Sequence, residues 1–324
     1  MYTIGVDLGG TNIAVGLCDE NLNIIDKGSV PTLAEREAEL IIKDMAALAR
    51  DITERNSLSL SDIEYVGIAS PGAVNSKTGI IEYSCNLPFM NFPIADVFKS
   101  YLPVSEVYIA NDANAAALAE ALAGSAKGAA VSVMITLGTG VGGGVVIDGK
   151  IYDGSVNCAG AELGHTVIVA RGRQCSCGRR GCWEAYSSAT ALTNMTREKM
   201  AELKSTGKDS LLFSIAEKDG AVSAKTPFDA MQAGDAAGKE IVEDYISYLA
   251  EGITNMINVF QPDILSIGGG VCKQGENLIK PLTEIVNRDQ YTRANPKKAK
   301  IVTAVLGNDA GIIGAAGLGR QFLE

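Results

Sequence analysis

Apolar runs, and the glycines that interrupt them, set the outline of this chain. Residues 2–30 read as three β-rich stretches broken first by Gly9-Gly10 and then by the polar segment 19–23, which predicts three antiparallel strands joined by tight turns. The period then changes. Across 34–56 the apolar positions Leu40, Ile41, Met45, Leu48 and Ile52 fall near i, i+3, i+4 and i+7 with charges between them, predicting an amphipathic helix. Residues 65–69 and 107–110 are short apolar runs of the buried-strand type, ending at Ser70-Pro71-Gly72 and at Asn111-Asp112. Ligands collect beyond such strand ends in open α/β sheets. An Ala-rich helix is expected over 113–123.

The second half starts as the first did, with a strand at 131–137, a turn at Gly138-Thr139-Gly140 and a returning strand at 145–147. This predicts an internal duplication in which Asp7-Leu8-Gly9-Gly10-Thr11 and Leu137-Gly138-Thr139-Gly140 are equivalent turns facing each other across a cleft. A charge-mixed helical region follows over 190–239, then an amphipathic helix over 241–260 that Pro262 stops. A strand at 263–267 ends in Gly268-Gly269-Gly270. A last strand at 301–305 and a small-residue helix at 310–318 close the chain, the helix suited to packing tightly on the first domain. The uncharged stretch 128–147 has the length of a membrane span, but six glycines within it favour two strands and a loop.

Composition narrows the partners. With 324 residues the chain has room for two domains, each with its own core. Its 28 basic against 38 acidic side chains give a net charge of −10, and Lys297, Lys298 and Lys300, the densest basic run, read as a solvated loop. Neither nucleic acid nor a membrane is expected as a partner. No leader precedes the first strand, and an odd set of seven cysteines fits a reducing compartment, so a cytoplasmic location is expected.

Three of those cysteines carry the sharpest chemistry. Cys175, Cys177 and Cys182 in CSCGRRGCWE lie just beyond the chain's sole histidine, His165, and the four supply a Cys₃His shell of the kind that closes a structural zinc site. The competing reading is three buried small hydrophobes. A metal would join the run Glu162-Leu163-Gly164-His165 to the segment bearing Glu184, bringing together two carboxylates, which accept hydrogen bonds from vicinal hydroxyls. That suits a polyol or sugar. The alternative places both glutamates on the solvated surface.

Three glycine-rich turns, DLGGT, GTGVGGG and GGG, each follow an expected strand, and their backbone N–H groups can converge on a polyphosphate, with Thr11 and Thr139 adding hydroxyls. Each alone could be a plain turn. No GxxxxGK[ST] sequence is present, so a P-loop is excluded. Asp7 beside such a turn implies Mg²⁺, held directly or through water. Asp112 is either a base for phosphoryl transfer to an alcohol or an N-cap for the helix that follows.

Taken in order, DLGGT, NDANAAALAE, TLGTGVGGG, ExGH and CxCGxxGCxE resemble the ROK family of sugar kinases and sugar-responsive repressors. The likeness spans nearly the whole chain. It implies an α/β protein of two ribonuclease H-like (actin/hexokinase-like) domains flanking an ATP and sugar cleft. The small domain would be 1–112 completed by the helix 307–324, and the large domain 113–306. By the same resemblance Asp112 is the base; Asn111, Asp112, Glu162, His165 and Glu184 hold sugar hydroxyls, with Gly72 and Asn86 lining the pocket. Gly9, Gly10, Thr11, Gly138, Thr139 and Gly140 would face phosphate, and Gly269 and Gly270 would lie near adenosine. Only six residues precede Asp7 in this sequence, so the repressors' DNA-binding module is not expected. SCNLP and GCWEAYSSATAL resemble the glucokinase branch, whose implied reaction is glucose to glucose 6-phosphate. An N-acetylglucosamine or N-acetylmannosamine kinase and a non-catalytic sugar sensor are the alternatives. Ser188-Ala189 departs from the family's Ser-Gly. A homodimer is the family's habit.

Overall fold

The computed structural model describes residues 1–322. Contacts group them into two compact units, one made of 1–134, 144–161 and the chain from Ala304 on, the other of 135–143 and 162–303.

The first unit begins with β1 (Tyr2–Leu8), β2 (Asn12–Cys18) and β3 (Ile24–Pro31), antiparallel as expected. Helix α1 (Ala38–Arg55) leads to β4 (Ile63–Ser70), a small sheet of β5 (Ala73–Asn75), β6 (Ile80–Tyr83) and β7 (Met90–Phe92), helix α2 (Ile94–Tyr101), β8 (Val107–Asn111) and helix α3 (Asp112–Ala123). The main sheet has the order β3-β2-β1-β4-β8, with β4 and β8 parallel to β1. One face buries Ile4, Val6 and Leu8 against Ile41, Met45 and Ile52 of α1 and Phe98 of α2.

After β9 (Val131–Leu137), β10 (Val141–Ile147) and β11 (Lys150–Ile151), the chain forms α4 (Glu184–Ser187), α5 (Ala189–Ser205), α6 (Leu211–Lys218), α7 (Thr226–Gln232) and the long α8 (Ala236–Phe260). Strand β12 (Ile264–Gly268), α9 (Glu276–Asp289), β13 (Lys300–Thr303) and α10 (Ala310–Gly317) complete it. The second sheet runs β11-β10-β9-β12-β13. Each sheet thus orders its five strands third, second, first, fourth, fifth, which bears out the duplication.

One returning strand differs from expectation: β10 starts at Val141, four residues before 145, because the glycines there lie inside the sheet. A Cβ on Gly144 would come within 2.6 Å of the Ala117 Cβ on α3, so the run reads as a loop yet serves as a helix seat. The same device works on a larger scale at the end of the chain. Gly16, Gly5 and Gly67 are neighbours across β2, β1 and β4. A Cβ on Gly5 or Gly67 would stand 2.0 or 1.8 Å from the carbonyl oxygens of Ile312 and Ala315. Helix α10 therefore rests backbone to backbone on the sheet, as its small residues predict. Among the described residues no helix is long and apolar enough to cross a membrane.

Candidate active site and metal centre

In the first unit the site forms where β1, β4 and β8 end. Asn111 leaves β8 in an extended conformation and caps α3: its Oδ1 accepts from the N–H groups of Ala113 at 2.9 Å and Asn114 at 3.3 Å. Its Nδ2 donates to the Gly72 carbonyl at 3.2 Å, tying two strand ends together. The N-cap role, the alternative the sequence offered for Asp112, thus belongs to Asn111. Asp112 is the first helical residue, and its Oδ1 accepts from the Ala113 N–H at 2.9 Å. Part of its surface is open to solvent. The protein packed around the carboxylate nevertheless costs it hydration and raises its pKa above the ordinary carboxylate value, against the lowering effect of nearby N–H donors.

Asp7, near the end of β1, is pushed up to about 6, first by burial and then by the charge of Asp112. Two carboxylates whose charges oppose each other at a strand end form a donor set suited to a hard dication such as Mg²⁺. The turn after Asp7 is closed by the Gly9 N–H donating to the Asn12 carbonyl at 3.0 Å. Thr32, which the sequence did not single out, braces it: its N–H donates to the Thr11 carbonyl at 2.8 Å and its hydroxyl to the Gly9 carbonyl at 2.7 Å. Gly10 and Thr11 are exposed, and Asn86, also exposed, lies next to Gly10.

In the second unit the start of β10 gathers the other residues. The Val141 N–H donates to Glu184 Oε2 at 3.1 Å, while its carbonyl packs on Gly164, where a Cβ would stand at 2.0 Å. The ExGH segment and Glu184 therefore meet at one residue. Glu184 Oε1 accepts from Ser176 Oγ at 3.1 Å, so this carboxylate is held on both sides and is no freely solvated surface group. Glu162 is exposed, and its carbonyl accepts from the His165 N–H at 3.1 Å. The Gly138-Thr139-Gly140 turn is held from α5: Ala189 N–H donates to the Gly138 carbonyl at 2.9 Å and Thr190 Oγ1 to the Thr139 carbonyl at 2.8 Å. Ser188, in the stretch that departs from the family pattern, caps α5 through the Ala191 N–H at 3.0 Å. Gly269 packs on the Leu137 carbonyl, which sets the GGG turn beside GTG, and Gly270 is exposed.

The ligand atoms of His165, Cys175, Cys177 and Cys182 all lie within 4.8 Å of one another. Cys177 Sγ and Cys182 Sγ are 3.7 Å apart, as are Cys175 Sγ and His165 Nδ1. Tetrahedral bonds of ~2.3 Å to zinc would separate two sulfurs by roughly 3.8 Å, so the cluster fits the ion. Burial, followed by the neighbouring thiols, pushes Cys182 up to about 12, whereas the Arg179 N–H lowers Cys177. Gly181 makes the wrap possible: it has φ of 85°, and a Cβ there would meet the Val169 carbonyl at 1.8 Å. Trp183, fully buried, packs against Gly252 of α8 and anchors the knot in the core. The sequence reading overlooked that anchor, although a lone tryptophan beside a cysteine cluster was its signal.

The sequence-predicted residues therefore assemble in two sets. Asp7, Gly9, Gly10, Thr11, Gly72, Asn86, Asn111 and Asp112 belong to the first unit; Gly138 to Gly140, Glu162, His165, the three cysteines, Glu184, Gly269 and Gly270 belong to the second.

Comparison with known proteins places these sets in a family. The ROK family model matches residues 3–321. A glucokinase of Thermotoga maritima is 38% identical over 98% of this chain and 97% of its own, and one of Halalkalibacterium halodurans is 36% identical over 99% and 95%. A crystal structure of a ROK family glucokinase from Streptomyces griseus in complex with glucose and AMPPNP superposes with a TM-score of 0.77 at 31% identity, covering 99% of this chain and all of that one. With the family's motifs spread through both sets of site residues and the match spanning nearly every position, this chain belongs to the ROK family.

Proposed function

We propose that the protein is a hexose kinase that transfers the γ-phosphoryl group of ATP to the primary hydroxyl of glucose, with Asp112 as general base. The observation that carries the base assignment is the division of labour at the end of β8. Asn111 supplies the cap, which leaves the Asp112 carboxylate available, and burial makes it a stronger base than a solvated aspartate. Identities of 36–38% with two glucokinases support glucose as the acceptor.

In this reading Asp112 takes the hydroxyl proton as the sugar oxygen bonds to phosphorus and the bond from phosphorus to the departing ADP oxygen breaks. Asn111, Glu162, His165 and Glu184 hold sugar hydroxyls, with Gly72 and Asn86 lining the pocket. The turns Gly9-Gly10-Thr11 and Gly138-Thr139-Gly140, with Gly10, Thr11 and Thr139 exposed, receive the phosphates, and Gly269 and Gly270 border the adenosine. Asp7 would hold the Mg²⁺ that accompanies the nucleotide, which offsets phosphate charge. His165, Cys175, Cys177 and Cys182 would hold zinc, which cross-links the ExGH segment to the segment of Glu184. A cytoplasmic homodimer feeding glycolysis completes the proposal.

The test is Asp112→Asn. ADP release with glucose should fall by about 10²–10⁴-fold while glucose binding by calorimetry stays within a few-fold. Near-parental turnover would overturn the assignment of the base. A panel of glucose, mannose, N-acetylglucosamine and N-acetylmannosamine checks the acceptor, and preference for an N-acetyl sugar would overturn glucose.

A further inference from the structure

The motif NDANAAALAE ends in a residue that the phosphoryl-transfer scheme does not use. Glu120 is 1% exposed and sits on α3, the helix whose first residue is Asp112. Its carboxylate accepts three backbone N–H groups: Ser125 on Oε2 at 2.6 Å, and Val305 and Leu306 on Oε1, both at 2.9 Å. The chain rejoins the first unit at Ala304, so Glu120 grips it just after its return and shortly before α10 begins.

Helix α10 in turn touches the supports of both strand-end carboxylates. Gly311 lies against Asp7, where a Cβ would stand 2.3 Å from Oδ2. Gly314, nearly one turn on, lies against the carbonyl of Ala115 in the first turn of α3, where a Cβ would stand at 1.9 Å. The sequence of α10 is AGIIGAAG, and such apolar contacts resist separation but are non-directional, so they oppose sliding poorly. Directional bonds must fix its position lengthwise. Tyr65 Oη donates to the Ala316 carbonyl at 2.7 Å and the exposed Lys27 pairs with Asp309 at 2.6 Å, but these reach α10 from β4 and β3. Glu120 ties its approach to α3.

We propose that Glu120 is a positioning residue: by clamping residues 305 and 306 it sets α10 along α3 and so fixes Asp7 relative to Asp112. The proposal rests on the kinase reading only for what those two carboxylates do.

The test uses Glu120→Ala and Glu120→Gln in the full chain, with hydrogen–deuterium exchange and steady-state kinetics measured well below the melting temperature. In Glu120→Ala, exchange should quicken not only at 304–314 but also at 8–12 and 113–116, and kcat should fall on the order of 10²-fold with the glucose KM little changed. The glutamine oxygen can still accept from Val305 and Leu306, so Glu120→Gln should recover kcat to within about tenfold, as expected when one acceptor oxygen of the pair survives. Exchange altered only at 120–126 and 304–306, with parental kcat per folded molecule, would overturn the proposal and leave Glu120 a local stabiliser. If the parent phosphorylates no hexose, the kinase reading fails by itself and the exchange pattern decides the clamp. If Glu120→Ala does not fold, the glutamine variant carries both measurements, with a smaller kcat loss and faster exchange in the same segments.

Discussion

Asn111 and Asp112 show how two residues of similar capping ability come to do different work. Either could cap a helix, and sequence alone does not rank them. The backbone does: Asn111 has φ −62° and ψ 146°, still extended, and so stands one residue before the first helical position. Position along the strand thus decides which of the two caps the helix. The consequence is measurable as stability. Asn111→Ala removes the cap and should cost about 1 kcal/mol, lowering the melting temperature by roughly 1–2 °C in a chain of this size. Asp112→Asn should leave it unchanged or slightly higher, because a carboxylate that burial disfavours has been replaced by a neutral group. Thermal melts of the two variants check this. A loss in Asp112→Asn equal to that in Asn111→Ala would mean that Asp112 shares the cap.

At the scale of elements the cluster of His165 and three cysteines was the most legible part of the chain, since its members lie within 18 residues and their spacing carries the geometry. It also joins the ExGH segment to Glu184, through Val141 as well as through the ligand cluster. Removing one ligand should therefore do more than destabilise. In Cys177→Ser, zinc content by metal analysis should fall from about one ion per chain, and melting temperature and glucose affinity should drop together. A lower melting temperature with parental glucose affinity would separate the knot from the sugar. Other elements were harder to read, for identifiable reasons. The strands β5, β6 and β7 are three or four residues long, too short for alternation to register. Helix α9 contains Pro281, a residue that ordinarily signals a helix end. Strand β10 is hidden in glycines whose reason lies on α3, far off in sequence.

For the whole molecule, the duplicated strand order was foreseeable because both halves open with the same strand, glycine turn and strand. The Glu120 clamp was not, since its partners Val305 and Leu306 lie at the opposite end of the chain. The field of the folded molecule is equally invisible in sequence, and at Asp7 it sets function against stability. Folding moves this carboxylate from an ordinary value of 3.8 to about 6. Between those values the folded state binds more protons than the unfolded one, so stability falls as pH rises through this window. Above it the cost is complete, at most about 3 kcal/mol. Asp26, paired with Arg55 and lowered to about 2, acts with the opposite sign, but its stabilisation is lost only as pH falls below the ordinary carboxylate value toward 2. Asp112, raised by the protein packed around it, acts with the same sign as Asp7. Urea unfolding of the ligand-free protein should therefore show lower stability at pH 7 than at pH 5, and Asp7→Asn should flatten that slope and raise stability at pH 7. Over the same interval kcat/KM of the parent should rise, since in the proposed scheme phosphoryl transfer uses both carboxylates ionised. Parallel slopes in parent and variant would show that Asp7 does not carry the linkage. Opposed trends of stability and activity in the parent, with only the activity lost in Asp7→Asn, are what a carboxylate retained for its ligand at the expense of the fold should produce.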